Sequence, residues 1–208
     1  MEKRIIICIS RQFGSGGHLV GELLAKRLGI PYYDKELLSL TADEHNVSEA
    51  VVKAIDEKPV TWSILGFPHG LRNPYQPKID DGLYYVLNDS IFYMQAETIK
   101  RIAAEGSCVI VGRAGEEILK EDPDMVSIFI HGTFDDRVQR TMTVDKIEEQ
   151  SKAEHRVRKM DKKRASYHNY YSNCKWGEAD SYHLSISTSL FGIEGAAEAI
   201  ERVISEMK

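Results

Sequence analysis

The sequence predicts a doubly wound α/β fold, a parallel five-stranded sheet with helices on both faces. Three observations predict it. Short apolar runs alternate with longer segments of helical periodicity along the 208 residues, the βαβα order that builds parallel sheets. Runs such as Cys108-Val109-Ile110-Val111 are apolar at every position, as suits strands covered on both faces. The segment 4–28 reads as a strand, a glycine-rich turn and a helix.

The elements follow in order. The first strand is Ile5–Ser10, rich in β-branched residues. The turn Arg11-Gln12-Phe13-Gly14-Ser15-Gly16-Gly17 follows it. Leu19, Val20, Leu23, Leu24 and Leu28 then form the apolar stripe of a helix over His18–Leu28. Further strands are expected at Ile30–Tyr33, Cys108–Val111, Val126–His131 and Leu184–Thr188. Helices are expected at Lys35–Glu44, Ser48–Asp56, Leu83–Glu105, Gly115–Leu119, Phe134–Val144, Glu148–Tyr171 and Glu194–Met207. Gly29, Gly106 and Gly132 fall at element ends, where turns belong. Lys58–Gly82 breaks the rhythm: it carries Pro59, Pro68, Pro74 and Pro77 with Trp62, Phe67 and Tyr75. A loop of that length in a compact domain is functional or disordered, and its aromatics favour a packed flap or a homodimer contact.

Composition narrows the function classes. With 42% apolar and 28% charged residues, the chain has the composition of a soluble globular protein. No apolar run approaches the roughly 18 residues needed to span a bilayer, so no membrane association is expected. The opening apolar run is too short for a secretory segment and reads as a strand. The three cysteines, Cys8, Cys108 and Cys174, are odd in number and show no metal-ligand spacing. Free thiols in a reducing cytoplasm fit them. The net charge of −5 hides an asymmetry: residues 151–175 carry eight Lys or Arg against two acids, so that segment is +6 and the remainder −11. A basic block on an acidic chain suits a small polyanion better than a nucleic acid, which asks for a broad basic surface. A solvated helix face with ordinary ion pairs accounts for it equally well.

Candidate functional residues gather where parallel strands end, because ligands of such folds bind beyond the carboxyl ends of the strands. Gly14, Gly16 and Gly17 remove Cβ atoms where backbone approaches a ligand, and Ser15 adds a hydroxyl. A helix starting there points free N–H groups and its positive dipole end at one spot, a phosphate site. His18 opens that helix, where the dipole disfavours its protonation. A loop of the G-x-x-x-x-G-K-[ST] type carries a lysine after its last glycine; here Gly17-His18 stand instead, and Arg11 is the nearest cation. Asp34 ends the second strand, placed either to cap the next helix or to meet a substrate hydroxyl, a base or magnesium. Arg113 follows a buried strand between glycines, well placed as a fork for phosphate oxygens. Arg137 and Arg140 share a helix face, facing a purine, a phosphate or the neighbouring Asp135 and Asp136. Arg158, Asp161 and Arg164 recur at helical spacing, so that Asp161 can orient the flanking arginines in a basic lid. Tyr167, Tyr170, Tyr171 and Trp176 either pack a hinge or stack on a base.

Taken together, Ile9–Gly17, Gly29–Leu37, Cys108–Arg113, Asp161-Lys162-Lys163-Arg164-Ala165, Lys175-Trp176-Gly177 and Tyr182–Ser189 resemble the cytidylate kinase-like family. The resemblance covers nearly the whole chain apart from Lys58–Gly82. It implies a P-loop kinase fold with a helical lid: one domain over 1–208, with a monophosphate-binding and flap region at 35–105 and a basic lid at 145–177 inserted. It implies transfer from ATP to CMP or dCMP with magnesium. On it, Gly14, Ser15, Gly16, Gly17 and His18 wrap the ATP phosphates, and Arg140 lies near the adenine. Asp34, Arg113 and Asp161 face the monophosphate, and Arg11, Arg113, Arg158 and Arg164 serve the transfer. The departures from the family pattern are the missing loop lysine, Ala114 in place of the acid after Gly112-Arg113, and an unrecognisable monophosphate helix. Two alternatives stay open: a nucleotide-binding relative with a regulatory role, and a kinase for another small acceptor shaped by the flap.

Overall fold

A computed structural model describes residues 4–55 and 81–207. The Pro- and aromatic-rich stretch expected as a flap, with Trp62, Phe67 and Tyr75, lies outside the described residues, and so does any dimer contact it makes.

The sheet has five strands, all parallel, in the order β2-β3-β1-β4-β5. They are β1 (Ile6–Arg11), β2 (Tyr32–Tyr33), β3 (Cys108–Val111), β4 (Met125–His131) and β5 (Leu184–Ser187). Helix α1 (Gly17–Leu28) follows β1. Helices α2 (Glu36–Glu44), α3 (Glu49–Ile55) and α4 (Asp81–Glu105) join β2 to β3. The single-turn α5 (Gly115–Ile118) precedes β4, α6 (Phe134–Asp145) and α7 (Gln150–Tyr171) join β4 to β5, and α8 (Thr188–Glu206) follows β5.

The period-2 geometry of β1 divides the core between the two faces. Ile7 and Ile9 point to one side and pack with Val20 and Leu24 of α1 and Ala196, Ala197 and Ile200 of α8. Ile6 and Cys8 point to the other and meet Leu37 of α2, Ile99 and Ile102 of α4, and Leu119. β1, β3 and all of β4 up to Ile130 are buried on both faces, which is why β3 is apolar throughout and β1 and that stretch of β4 are apolar apart from Ser10, Arg11 and Ser127. Cys8 and Cys108 are buried free thiols and Cys174 is exposed. Among the described residues no helix is long and apolar enough to cross a membrane.

Most boundaries shift by a residue or two from expectation, and two differences have a structural reason. β2 has two residues rather than the four of Ile30–Tyr33. It lies at the sheet edge, and Pro31, which has no N–H, contributes only its carbonyl, accepting from Val109 N at 2.9 Å. The last helix begins at Thr188 rather than Glu194, interrupted at Gly192 (φ 69°, ψ −175°). That interruption breaks the helical period, and Leu190 and Phe191 before it are exposed, so the first turn carries no apolar stripe.

Candidate active site

All five strands run the same way, so Arg11, Tyr33, Val111, His131 and Ser187 end on one edge of the sheet. The candidate residues converge there, built outward from the glycine turn.

The turn is tied down on every side. Gln12 N donates to Ile130 O at 2.9 Å, and Gly132 N donates back to Gln12 Oε1 at 3.2 Å. Thr188 Oγ1 donates to Ser15 O at 2.7 Å and lies 3.1 Å from His131 O. Gly14 and Gly16 sit at φ +75° and +79°, in the left-handed region that glycine enters without strain. Space also demands them: a Cβ on Gly14 would stand 2.5 Å from Arg137 O, and one on Gly16 would collide with Ile193 Cδ1. Ser15 is fully buried, and its hydroxyl donates to Gln12 O at 2.8 Å. It therefore braces the turn, which corrects the expectation of a hydroxyl offered outward. Gly16 is the N-cap of α1 with no side chain to cap it, and the first turn has no acid. The leading amides and the dipole thus stay available to an anion. His18 is held below the ordinary imidazole range, by the protein mass around its ring first and by Arg11 nearby, partly offset by Asp34.

Asp34 joins two arginines. Arg113 Nη1 donates to its Oδ1 at 3.2 Å and to Val111 O at 3.3 Å, and Arg11 Nη2 approaches the same carboxylate oxygen at 4.0 Å. Both guanidiniums are almost buried. The helix-capping role open to Asp34 is not taken: Lys35 is the N-cap of α2 and no side chain caps it. Arg113 is aimed by its backbone. Gly112, Arg113 and Ala114 all have positive φ, at 81°, 56° and 52°. Two of the three are not glycine, an arrangement that costs about 1–3 kcal/mol per residue and marks functional sites.

The basic elements behave differently from expectation. Asp161 does not orient Arg158 and Arg164. Its Oδ2 accepts from Arg137 Nη1 at 2.6 Å and its Oδ1 from Phe13 N at 2.7 Å. The reason is packing: Val138, Ala153 and Val157 form an apolar seam between α6 and α7 with Phe13 and Phe134 against it. Asp161 therefore faces α6 and the loop, where Arg137 is buried. Arg137 was one of two open candidates, and the structure makes it a brace that also donates to Phe13 O (3.0 Å) and Gly132 O (3.2 Å). Arg140 Nη1 donates to Gly14 O at 2.7 Å, while its charge also helps hold the Asp136 carboxyl below the ordinary aspartate range, after the hydrogen bonds from Ser189 and Thr133. Arg158 lies over the Phe134 ring at 4.1 Å, and Arg164 Nη1 donates to Arg11 O at 3.1 Å. Tyr171 stacks on Phe92 at 3.8 Å and donates to Asp89 at 3.0 Å, while Trp176 sits edge-on to Phe129. The aromatics pack the end of α7.

One feature escaped the sequence reading. Ser10 Oγ donates to Glu116 Oε1 at 2.7 Å, and His168 Nε2 lies 3.1 Å from the same oxygen, all three buried. This ties the end of β1 and the start of α5 to the far end of α7. Glu116 and His168 lie 52 positions apart in the chain, so spacing gives no sign of the contact.

Among the described residues no group of three or more His, Cys, Asp or Glu side chains is placed to hold a metal. Magnesium in phosphoryl transfer needs less, since it is held largely by phosphates and water with one or two carboxylates. Asp34 is a carboxylate on the strand edge, and it is already engaged by Arg113 and Arg11.

Residues 6–190 match the Cytidylate kinase-like family, and the chain belongs to it. A crystal structure of an uncharacterized protein from Eubacterium ventriosum is 30% identical with a TM-score of 0.72, over 98% of this chain and all of that one. Shikimate kinase from Bacteroides thetaiotaomicron shares the fold at 12% identity and TM-score 0.57, over 98% of this chain and 99% of that one. Shikimate kinase from Acinetobacter baumannii, solved with shikimate, shares it at 14% and 0.52, over 100% and 97%. No curated protein matches the sequence. Family and fold together support a nucleotide-dependent kinase of the P-loop type.

Proposed function

We propose that the chain is an ATP- and magnesium-dependent phosphotransferase acting on a small anionic acceptor, with CMP or dCMP the first candidates. The observation that carries this reading is the position of Asp34 between Arg113 and Arg11 on the strand edge beside the glycine turn. Phosphoryl transfer asks the protein mainly for positioning and charge neutralisation, and these residues supply both. The turn Gly14–Gly17, with the head of α1 and His18, holds the ATP phosphates, with Arg140 beside it toward the base. Arg113 takes the acceptor's anionic group, and Asp34 fixes the acceptor and a magnesium ion. An acceptor oxygen bonds to the γ-phosphorus while the bond to the β–γ bridging oxygen breaks. The electron pair leaves with ADP. Arg164 sits against Arg11, and Arg158, resting on the Phe134 ring, adds to the positive charge that α7 brings to the turn.

A second reading has one observation in its favour. Arg137 is neutralised by Asp161, and Arg140 is bonded to the turn, so a site that binds nucleotide and transfers nothing is consistent with the geometry. A coupled assay of ADP release across CMP, dCMP, UMP, AMP and shikimate separates the readings. Acceptor-dependent ADP release with a nucleotide supports the first. Release with shikimate alone moves the acceptor class to a hydroxylated carboxylic acid. Nucleotide-dependent thermal stabilisation without release with any acceptor supports the regulatory reading.

A further inference from the structure

The turn departs from the G-x-x-x-x-G-K-[ST] pattern at Arg11, Gly17 and His18, and the first two of these departures touch. The pattern's first glycine falls on Arg11 and its lysine on Gly17. A Cβ on Gly17 would stand 2.5 Å from Arg11 Cβ and 3.0 Å from Arg11 Cγ, with Ile130 Cβ at 3.3 Å. Carbon atoms pack at about 3.5–4.0 Å, so no side chain fits at 17 while Arg11 is present. The backbone does not explain this glycine. Gly14 and Gly16 need positive φ, whereas Gly17 is absent from the positive-φ glycines and is the first residue of α1. What excludes a lysine there is the stem of Arg11. Arg11 is 8% exposed, and its guanidinium lies 4.0 Å from the Asp34 carboxylate on the strand edge.

We infer that Arg11 is the turn's phosphate-binding cation, entering from the first position of the loop through the space a lysine at 17 would fill. The first two departures are then one compensated exchange: a glycine becomes arginine on the strand side, and a lysine becomes glycine on the helix side. The inference rests on the phosphotransferase reading above for the presence of a polyphosphate.

The test is a cycle of Arg11→Gly, Gly17→Lys and the double variant, which restores the G-x-x-x-x-G-K pattern over positions 11–17. Affinity for ATP with magnesium is measured by calorimetry, with turnover in parallel. Loss of one preorganised cation lowers affinity or rate by about a hundredfold, so Arg11→Gly is expected to fall by that factor. Gly17→Lys falls comparably through the collision, and the double variant recovers to within about tenfold of the native protein. If the lysine variants do not fold, Gly17→Ala serves. It lowers Tm by about 5 °C or more beside Arg11, and by much less in the Arg11→Gly background. Native-like ATP affinity in Arg11→Gly overturns the inference. So does a double variant no tighter than the weaker single variant, or equal Tm losses for Gly17→Ala in both backgrounds. Each of these outcomes leaves the phosphotransferase reading standing. A native protein that binds no ATP removes both.

Discussion

At the scale of single residues, the site is written in backbone conformation as much as in charge. Gly112, Arg113 and Ala114 take left-handed φ in succession, and only the first is built for it. Ala114 is buried and helps little by packing, since it offers one methyl group. Ala114→Gly is therefore expected to raise stability by about 1 kcal/mol, because relief of the left-handed strain exceeds the added entropy of the unfolded chain. Urea denaturation measures it, and a loss of stability would show that the turn is not strained. Arg113 offers a second test. Lysine keeps its charge and loses its fork. Arg113→Lys should raise the acceptor KM by about tenfold to a hundredfold, while ATP affinity stays native-like. An equal loss in both would move Arg113 out of the acceptor pocket. The convergence of Arg11, Asp34 and Arg113 was legible, because each stands at the end of a parallel strand and such strands end on one edge. The role of Ser15 was not legible: a serine in a glycine turn reads as a donor to ligand, and only the fold shows its hydroxyl turned inward to Gln12.

At the scale of elements, periodicity did most of the work. Cys108–Val111 is read to the residue because a strand buried on both faces has nothing polar to blur its ends. The start of α8 was lost where Gly192 interrupts the helical period. The relation between α6 and α7 was lost for another reason. Asp161 has cations three residues away on either side, and local spacing favours them, yet its partner Arg137 stands on another helix 24 positions earlier. Burial decides between them. Arg137 cannot remain unpaired out of water, whereas the exposed Arg158 can rest on the half-buried Phe134 ring. Asp161→Ala should thus cost about 3 kcal/mol, leaving the buried Arg137 charge without its counter-ion and the Phe13 N–H without its acceptor. Arg137→Ala in the same background should cost distinctly less than in the native chain, because the two losses share one interaction. Additive losses in urea would deny the coupling.

At the scale of the whole molecule, the edge of the sheet opposite the site is clamped by ion pairs. Arg4 donates to Asp122 at 2.6 Å, to Asp124 at 2.9 Å and to Ala103 O, joining the entry to β1, the end of α4 and the entry to β4. Its guanidinium, donating to Asp122, holds that carboxyl below the ordinary aspartate range. A depressed carboxylate contributes stability that is complete above its unfolded pKa of about 3.9 and is lost as pH falls through the folded value. Acid unfolding below about pH 4 should therefore be less steep in Asp122→Asn than in the native protein, followed by circular dichroism. Indistinguishable pH slopes would remove the clamp from the account of acid stability. Nucleotide binding has a global readout as well. On the phosphotransferase reading proposed above, ATP at a hundredfold over its Kd should add about 2.7 kcal/mol, which for a chain of this length would raise Tm by about 5–10 °C; an unchanged Tm would count against that reading.

The hydroxyl of Thr188 holds the carbonyl of Ser15 across 173 positions of sequence, and Ile193 closes over Gly16 from the same segment. A growing polypeptide on the ribosome therefore has its early turn in hand long before the clasp that shapes it has been made. Long-range closure of this kind comes late in folding, so a nascent chain stopped before Thr188 should be unable to retain nucleotide, however well its first strand and helix have formed.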